Sequence, residues 1–149
     1  MSPKYPGIQK ILIIAKVVNY QRLLSLLLDE GFTVDDIFIA LTYDEGRDLL
    51  QLVQNTDLKG CLAFVDRELE QNNAALYGIY RDEYGNNGRI PFVSLVNKDE
   101  APIGNLVLKN LCQEDLALVL DIANRALIDL EAQRELQQPS ELSMEFVTV

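Results

Sequence analysis

Two alternating patterns of apolar positions run along the chain and predict strands separated by helices. Continuous apolar runs rich in β-branched residues are typical of strands buried on both faces. Leucines at helical spacing predict amphipathic helices that cover such a sheet. Five runs have the first pattern: KILIIAKVV (10–18), DIFIAL (36–41), GCLAFV (60–65), IPFVSLV (90–96) and LVLKNL (106–111). Four segments have the second pattern, most weakly in the third of them: 19–31, 42–56, 67–84 and 113–135.

Capping residues mark the ends of the predicted helices. Asn19 can serve as the N-cap of the first helix, and Gly31 as its C-cap. Thr42 and Glu45 have the spacing of a capping box at the start of the second helix. Pro139 follows the last helical pattern, and we expect it to close off that helix because proline lacks the N–H that a helix interior needs.

This order of elements predicts one α/β domain with a parallel sheet and helices on both of its faces. Five such strands in a chain of 149 residues fit the flavodoxin-like, doubly wound order 2-1-3-4-5. We expect the domain to span residues 1–135, with 136–149 as a tail or linker. The final residues, MEFVTV, have strand-like composition. The alternatives for them are a disordered end, a linker into another domain, or an arm that adds to a sheet edge.

The charge of the chain argues against two classes of partner. The chain has 13 Lys and Arg residues against 23 Asp and Glu residues, a formal net charge of −10. Nucleic acids and anionic membranes both require a basic surface, so we expect neither as a partner. No apolar run reaches the ~18 residues of a membrane span. The first residues also lack the cleavage site of a signal peptide, which favours a cytoplasmic location.

The chemistry of the chain is further restricted by its lack of histidine. Ser-His-Asp catalysis, Cys-His catalysis and His-based metal sites are therefore excluded.

The two cysteines, Cys61 and Cys112, lie inside apolar stretches. We expect both to be buried, reduced core residues, as is usual in a cytoplasmic protein.

Three charged residues are expected at one edge of the sheet, beyond the carboxyl ends of the strands, where doubly wound folds bind ligands. Asp66 ends the third strand, while Lys16 and Lys109 lie near the ends of the first and fifth. In order, GCLAFVDRE, IPFVSLVNKDE and VLKNLCQEDLALVL resemble the third, fourth and fifth strands of two-component response-regulator receiver domains. The resemblance implies that Asp66 stands where the phosphorylated Asp would be, and Lys109 where the conserved Lys would be.

The chain departs from the receiver pattern at the positions that carry the chemistry. A receiver holds Mg²⁺ with an acidic pair after its first strand, because this metal needs oxygen ligands. Here KVVNY follows the first strand, with Lys16 near the place of the metal. Val96 replaces the hydroxyl residue that ends the fourth strand, and the link to the fifth strand is too short for a full fourth helix. These departures are typical of a degenerate receiver, or pseudo-receiver, with a shortened fourth-helix region.

A second resemblance is closer and is found in four segments of the chain. TYDEGRDLLQLVQN, LKGCLAFVDRE, IPFVSLVNKDE and QEDLALVLDIANRALIDLEAQR are similar to the N-terminal wing domain of bacterial PLP-dependent ornithine/lysine/arginine decarboxylases. In that family the wing mediates subunit assembly, contains no catalytic residue and precedes the cofactor-binding domain. The resemblance implies a non-enzymatic regulatory or assembly domain with no cofactor or metal. It does not extend to the cofactor domain, so decarboxylase activity is not implied.

Asp66 therefore has two interpretations. We expect it to be structural, with Lys16 and Lys109 as ion-pair partners that keep its carboxylate ionised. The alternative is a divergent receiver in which Asp66 accepts a phosphoryl group from a histidine kinase. A flavin binder of flavodoxin type is disfavoured, because AKVVNYQR after the first strand lacks a phosphate loop rich in Ser, Thr and Gly.

Contacts with other proteins are the expected mode of action. Tyr77, Tyr80 and Tyr84 recur at helical spacing, and Phe146 lies in the apolar tail. These four residues are interface candidates for a protein partner or a homo-oligomer. We expect at least a weak homodimer.

Overall fold

The computed structural model of the chain describes residues 3–55, 60–66, 92–95 and 106–148. The helix expected over 67–84 and the shortened region between the fourth and fifth strands lie outside these residues. The described elements, in chain order, are β1 (Lys10–Ile14), α1 (Val17–Asp29), a 3-10 turn (Val34–Asp36), β2 (Ile37–Ala40), α2 (Tyr43–Asn55), β3 (Cys61–Asp66), β4 (Phe92–Leu95), β5 (Leu106–Leu108) and α3 (Gln113–Thr148).

The strands form a parallel sheet in which β1 lies between β2 and β3. Ile11 of β1 pairs with Ile37 of β2 on one side and with Leu62 of β3 on the other. β4 pairs with β3, and β5 pairs with β4, also in parallel. A mixed α/β fold with a parallel sheet that begins in the order 2-1-3 is thus confirmed.

Each face of the sheet has its own core. Ile11 and Ile13 of β1 belong to the core under α1 and α3, while Leu12 and Ile14 belong to the core under α2. All four side chains are fully buried, which confirms a strand buried on both faces. The helices contribute Leu23 and Leu27 from α1, Leu50 and Val53 from α2, and Leu116, Leu120, Ala123 and Leu127 from α3.

The first helix begins earlier than the sequence pattern predicts. β1 ends at Ile14 and α1 starts at Val17, so the apolar run 10–18 is not one strand. Lys16 is the N-cap and makes no side-chain capping bond, so the expectation that Asn19 is the N-cap is wrong. The error arises because a continuous apolar run carries no periodicity that separates the end of a strand from the first turn of a helix.

The end of α1 is a Schellman motif, which confirms the predicted role of Gly31. Gly31 has a φ of +98°, the left-handed conformation that glycine adopts without strain. Its N–H donates to the carbonyl of Leu28 at 3.1 Å, and the N–H of Phe32 donates to the carbonyl of Leu27 at 3.2 Å.

The predicted capping box is present at the start of α2. The N–H of Glu45 donates to the hydroxyl oxygen of Thr42 at 3.2 Å. The carboxylate of Glu45 reaches back and accepts the N–H of Leu41 at 3.1 Å, one residue beyond the expected partner.

The last helix is longer than expected. α3 continues from Gln113 to Thr148 and passes through Pro139, so the prediction that proline closes it off is wrong. The residues of the expected tail as far as Thr148 are likewise helical rather than strand-like or disordered. An interior proline removes one N–H from the helix at a cost of about 3 kcal/mol, and the glutamate, leucine, glutamine and methionine residues near Pro139 are good helix formers. A domain boundary at 135 stays a prediction.

Both cysteines are free thiols, but only one is fully buried. Cys61 lies in the core under α2. Burial raises the pKa of its thiol to about 11, despite an opposing effect of the Lys10 charge. Cys112 is only partly buried, so its predicted place in the core is wrong. It belongs to the turn between β5 and α3, at the edge of the sheet.

A buried carboxylate, Glu30, ties the N-terminal segment to the ends of two helices. It is 4% exposed and stands at the C-terminal end of α1. It accepts hydrogen bonds from the Tyr5 hydroxyl at 3.3 Å, the Lys4 ammonium at 3.4 Å and the Gln113 amide at 2.6 Å. The Tyr5 ring also stacks on Phe32, with ring centroids 6.0 Å apart. These contacts hold the start of the chain against α1 and α3.

The phenol of Tyr5 makes the stability of the fold sensitive to alkaline pH. Burial, followed by the charge and hydrogen bond of Glu30, raises its pKa from 10.0 to about 12. Because the folded-state pKa is raised, this contribution to stability is complete below pH 10.0 and is lost as pH rises to about 12. We expect the free energy of unfolding to fall less over this range in Tyr5→Phe than in the wild type. Urea unfolding at successive pH values measures the difference, and parallel curves would contradict the assignment.

The packing of α3 predicts a large loss of stability when a core leucine is truncated. Leu120 is 0% exposed, so Leu120→Ala should cost about 2–5 kcal/mol. Leu52 of α2 is 59% exposed, and the same change there should cost less than about 0.5 kcal/mol. Urea unfolding of both variants makes the comparison. Similar losses at the two positions would mean that α3 does not cover the sheet as described.

Candidate functional site

The strand register brings the predicted charged residues to one edge of the sheet. Asp66, the last residue of β3, pairs with Leu95, which in turn pairs with Leu108. Lys109 follows Leu108 directly. On the other side Ile14 pairs with Val65, so the chain leaving β1 passes beside Asp66. The carboxyl ends of four strands thus lie together where the sequence predicted a site.

Asp66 is held by the first turn of α1. Its carboxylate is 1% exposed. One oxygen, Oδ2, accepts the side-chain amide of Asn19 at 2.7 Å and the backbone N–H of Lys16 at 3.3 Å. Both donors are fixed to the helix, because Lys16 is its N-cap and Asn19 lies in its first turn. The backbone donor of Lys16 is fixed by the start of the helix, and the side chain of Asn19 reaches the carboxylate from the first turn.

The same contact explains how α1 starts without a capping side chain. The first turn of α1 contains no acidic residue, and Lys16 makes no side-chain capping bond. The N-terminal end of a helix carries unsatisfied N–H groups and a partial positive charge. Asp66 supplies a negative charge to this end from β3, a neighbouring strand far away in sequence. This charge complements the partial positive charge of the helix start, and the backbone N–H that Asp66 accepts is that of Lys16, the residue before the helix.

A cleft of about 290 Å³ adjoins Asp66 between the start of α1 and the end of β5. Arg22 closes one side of the cleft, because its Nε donates to the carbonyl of Leu111 at 2.9 Å. Asn110 donates to the carboxylate of Asp115 at 3.1 Å, at the start of α3. The polar lining of the cleft consists of Asn19, Arg22, Asp66, Lys109 and Asn110.

The predicted site residues differ in whether the structure places them at the site. Lys16 contacts Asp66 through its backbone, while its side chain is exposed. Lys109 is exposed and lines the same cleft. The ion pairs expected between these lysines and Asp66 stay predictions. The interface candidates Tyr77, Tyr80 and Tyr84 lie outside the described residues. Phe146 belongs to the described length of α3, and its interface role also stays a prediction.

Two residues of the site were not recognised in the sequence. Asn19 was interpreted as a local helix cap, and its bond to Asp66 joins positions that are distant along the chain. Arg22 follows one turn later and was not singled out in the sequence. The usable signal was their spacing: both lie in the first turns of the helix that leaves β1, where side chains face the carboxyl edge of the sheet.

The groups that contact the Asp66 carboxylate are hydrogen-bond donors. Asn19 and the backbone of Lys16 present N–H groups to the carboxylate, whereas Mg²⁺ would require additional oxygen ligands. Within residues 3–55, 60–66, 92–95 and 106–148, no three acidic or cysteine side chains form a group that could hold a metal ion.

Comparisons with other proteins add no assignment. No protein-family model matches the chain, and neither the curated proteins nor the solved structures contain a match. In the part of the chain that the structure describes, no helix combines the length and apolar character that a membrane crossing requires.

The role of Asn19 predicts a specific loss of stability. Asn19→Ala removes a donor from a buried carboxylate, which should cost about 1–3 kcal/mol. The matched control is Asn110→Ala, which removes the same kind of amide-to-carboxylate bond at an exposed position. Its cost should stay below about 0.5 kcal/mol. Chemical denaturation of the two variants measures both values, and an Asn19→Ala midpoint equal to that of the wild type would contradict the structural role of Asp66.

Proposed function

We propose that this chain is a non-catalytic regulatory or assembly domain that acts through protein–protein contacts. It is a pseudo-receiver, related to the wing domain of the basic amino acid decarboxylases. One observation carries the proposal: the carboxylate of Asp66 is bound by the amide of Asn19 and the backbone N–H of Lys16. The residue in the place of a phosphoryl acceptor thus serves to anchor a helix.

The strand order and the placement of the helices support this proposal. A flavodoxin-like, doubly wound sheet has the order 2-1-3-4-5 and helices on both faces. The pairing of β4 with β3 and of β5 with β4 agrees with that order. The placement of α1 and α3 on one face, and of α2 on the other, agrees with double winding.

The chemistry of the edge supports a non-catalytic role. Phosphoryl transfer to a carboxylate brings two negative groups together, so it needs a cation between them. In this chain, the position after β1 provides an exposed lysine and a helix N-terminus. A unit positive charge about 4 Å from a carboxylate gains roughly 4 kcal/mol at an effective dielectric constant near 20, before desolvation. Lys16 can therefore compete with a metal for this carboxylate.

The link to the decarboxylases rests on the similarity of four segments in the sequence. In those enzymes the wing mediates subunit assembly. By analogy, this chain would join subunits or regulate a partner while the chemistry is carried out elsewhere. Its net charge of −10 would favour partners with a complementary basic surface.

A divergent receiver is the second candidate, and one feature favours it. Asp66 ends β3 beside an open cleft that also exposes Lys109, as an acceptor and its lysine would be placed. In that case Asn19 would have to release the carboxylate when Mg²⁺ binds. The two candidates therefore differ in their response to this metal.

Magnesium and a small phosphodonor separate the two candidates. We expect millimolar Mg²⁺ to produce no saturable NMR shifts at the amides of Lys16, Asp66 and Lys109, because donors already occupy the carboxylate. We also expect no covalent labelling by acetyl phosphate, measured as a mass increase of the intact chain. An active receiver domain treated in parallel is the control. Labelling that Asp66→Asn abolishes would refute the non-catalytic proposal and establish the divergent receiver.

A further inference from the structure

The outer side of α3 carries two exposed apolar residues between opposite charges. Leu118 is 62% exposed and Ile122 is 44% exposed. Asp115 precedes them and Arg125 follows them. With 3.6 residues per turn, these four side chains fall within roughly 80° of the helix circumference. We call them the α3 stripe.

The stripe lies opposite the side of α3 that covers the sheet. Leu120 and Ala123, which are fully buried, mark the inner side. Exposed apolar residues scattered singly need no explanation, but Leu118 and Ile122 lie one turn apart on the same side of the helix and are flanked by charges. The question is which partner this surface fits.

The charges of the stripe cannot satisfy one another within one chain. Asp115 and Arg125 are about 15 Å apart along the helix axis. Arg125 forms an ion pair with Asp121 at 2.9 Å, yet its side chain remains 76% exposed. A guanidinium has five N–H donors and can bridge two carboxylates. Arg125 can therefore donate to a second carboxylate while it keeps its ion pair with Asp121.

Along the helix axis, the four residues are placed symmetrically about the level of Leu120, with an apolar residue on each side and opposite charges at the two ends. When a second α3 helix lies antiparallel across this point, Leu118 faces Ile122 of the second copy. Asp115 then faces Arg125 of the second copy, and the same contacts repeat on the other side of the twofold axis. A parallel arrangement in register would instead place like charges opposite each other, which is unfavourable. For a second copy, the charge pattern thus favours the antiparallel arrangement over the parallel one.

We propose that the α3 stripe is a homotypic docking surface on which a second copy of this chain binds in antiparallel orientation. Two apolar contacts form the centre, and two Asp115–Arg125 ion pairs close its ends. This inference deepens the proposed assembly function and rests on it.

Sedimentation equilibrium of the full chain over a concentration series tests the apolar centre. We expect the wild type to self-associate and Leu118→Lys to weaken the association at least about tenfold, a loss of about 1.4 kcal/mol. The matched control is Leu52→Lys, the same change at an exposed leucine of α2. It should leave the association constant unchanged. A wild type that is monomeric throughout, or equal effects of the two variants, would overturn the proposal.

A charge exchange tests the ends of the surface and the direction of pairing. Arg125→Glu should weaken association, because it places a carboxylate opposite Asp115 of the second copy. Adding Asp115→Lys to that variant should restore association, since the opposite charges then face each other again. Circular dichroism checks that each variant keeps its helices. A double variant no tighter than Arg125→Glu would overturn the antiparallel pairing.

The failure of this inference is distinguishable from failure of the proposed function. If the chain is monomeric and also inert to Mg²⁺ and acetyl phosphate, the docking role of the α3 stripe is refuted, but assembly with a different partner is not. A chain that is phosphorylated on Asp66 removes the non-catalytic function, whatever its oligomeric state.

Discussion

The structure depends on the way it satisfies one buried carboxylate. Asp66 is almost fully removed from water, and an ionised group in that position is costly unless donors surround it. The amide of Asn19 and the backbone N–H of Lys16 meet this need. In return, the carboxylate provides the negative charge that the start of α1 lacks. The bond joins β3, the link after β1 and the first turn of α1, and so sets the shape of the adjoining cleft.

That constraint also limits what the edge of the sheet can do. The two bonds engage Oδ2 of Asp66 and tie the carboxylate to the packing of the domain, and a ligand that needs this oxygen must first break them. In a domain that switches, the corresponding acid must exchange partners at low cost. This limit supports the proposal that the chain acts through its outer surface rather than through the cleft. The Glu30 cluster reinforces this view, because it locks the other end of α1 to Tyr5 and Gln113.

The features that sequence could predict are those with local causes. The buried strands follow from continuous apolar runs, and Gly31 and Thr42 cap their helices because their roles depend on neighbours within a few residues. The errors have other causes. Asn19 was expected to cap its own helix, whereas its side chain bonds to Asp66, which is distant in sequence. The run 10–18 has no periodicity that marks the end of β1, and Pro139 lies within a helix that it was expected to end. Of the site, sequence predicted Asp66 and its location, but not what holds it.

Electrostatics finally decides where an acidic chain can associate with itself. A net charge of −10 on each copy opposes a close approach at random orientations. In physiological salt, however, interactions between exposed charges decay over about 8 Å, so this repulsion is weak except near contact. At contact, the local arrangement outweighs the total charge. The α3 stripe offers an apolar centre with an acid at one end and a guanidinium at the other, which turns repulsion into attraction in a single orientation. In other orientations the acidic surfaces repel each other near contact, so the antiparallel encounter is favoured.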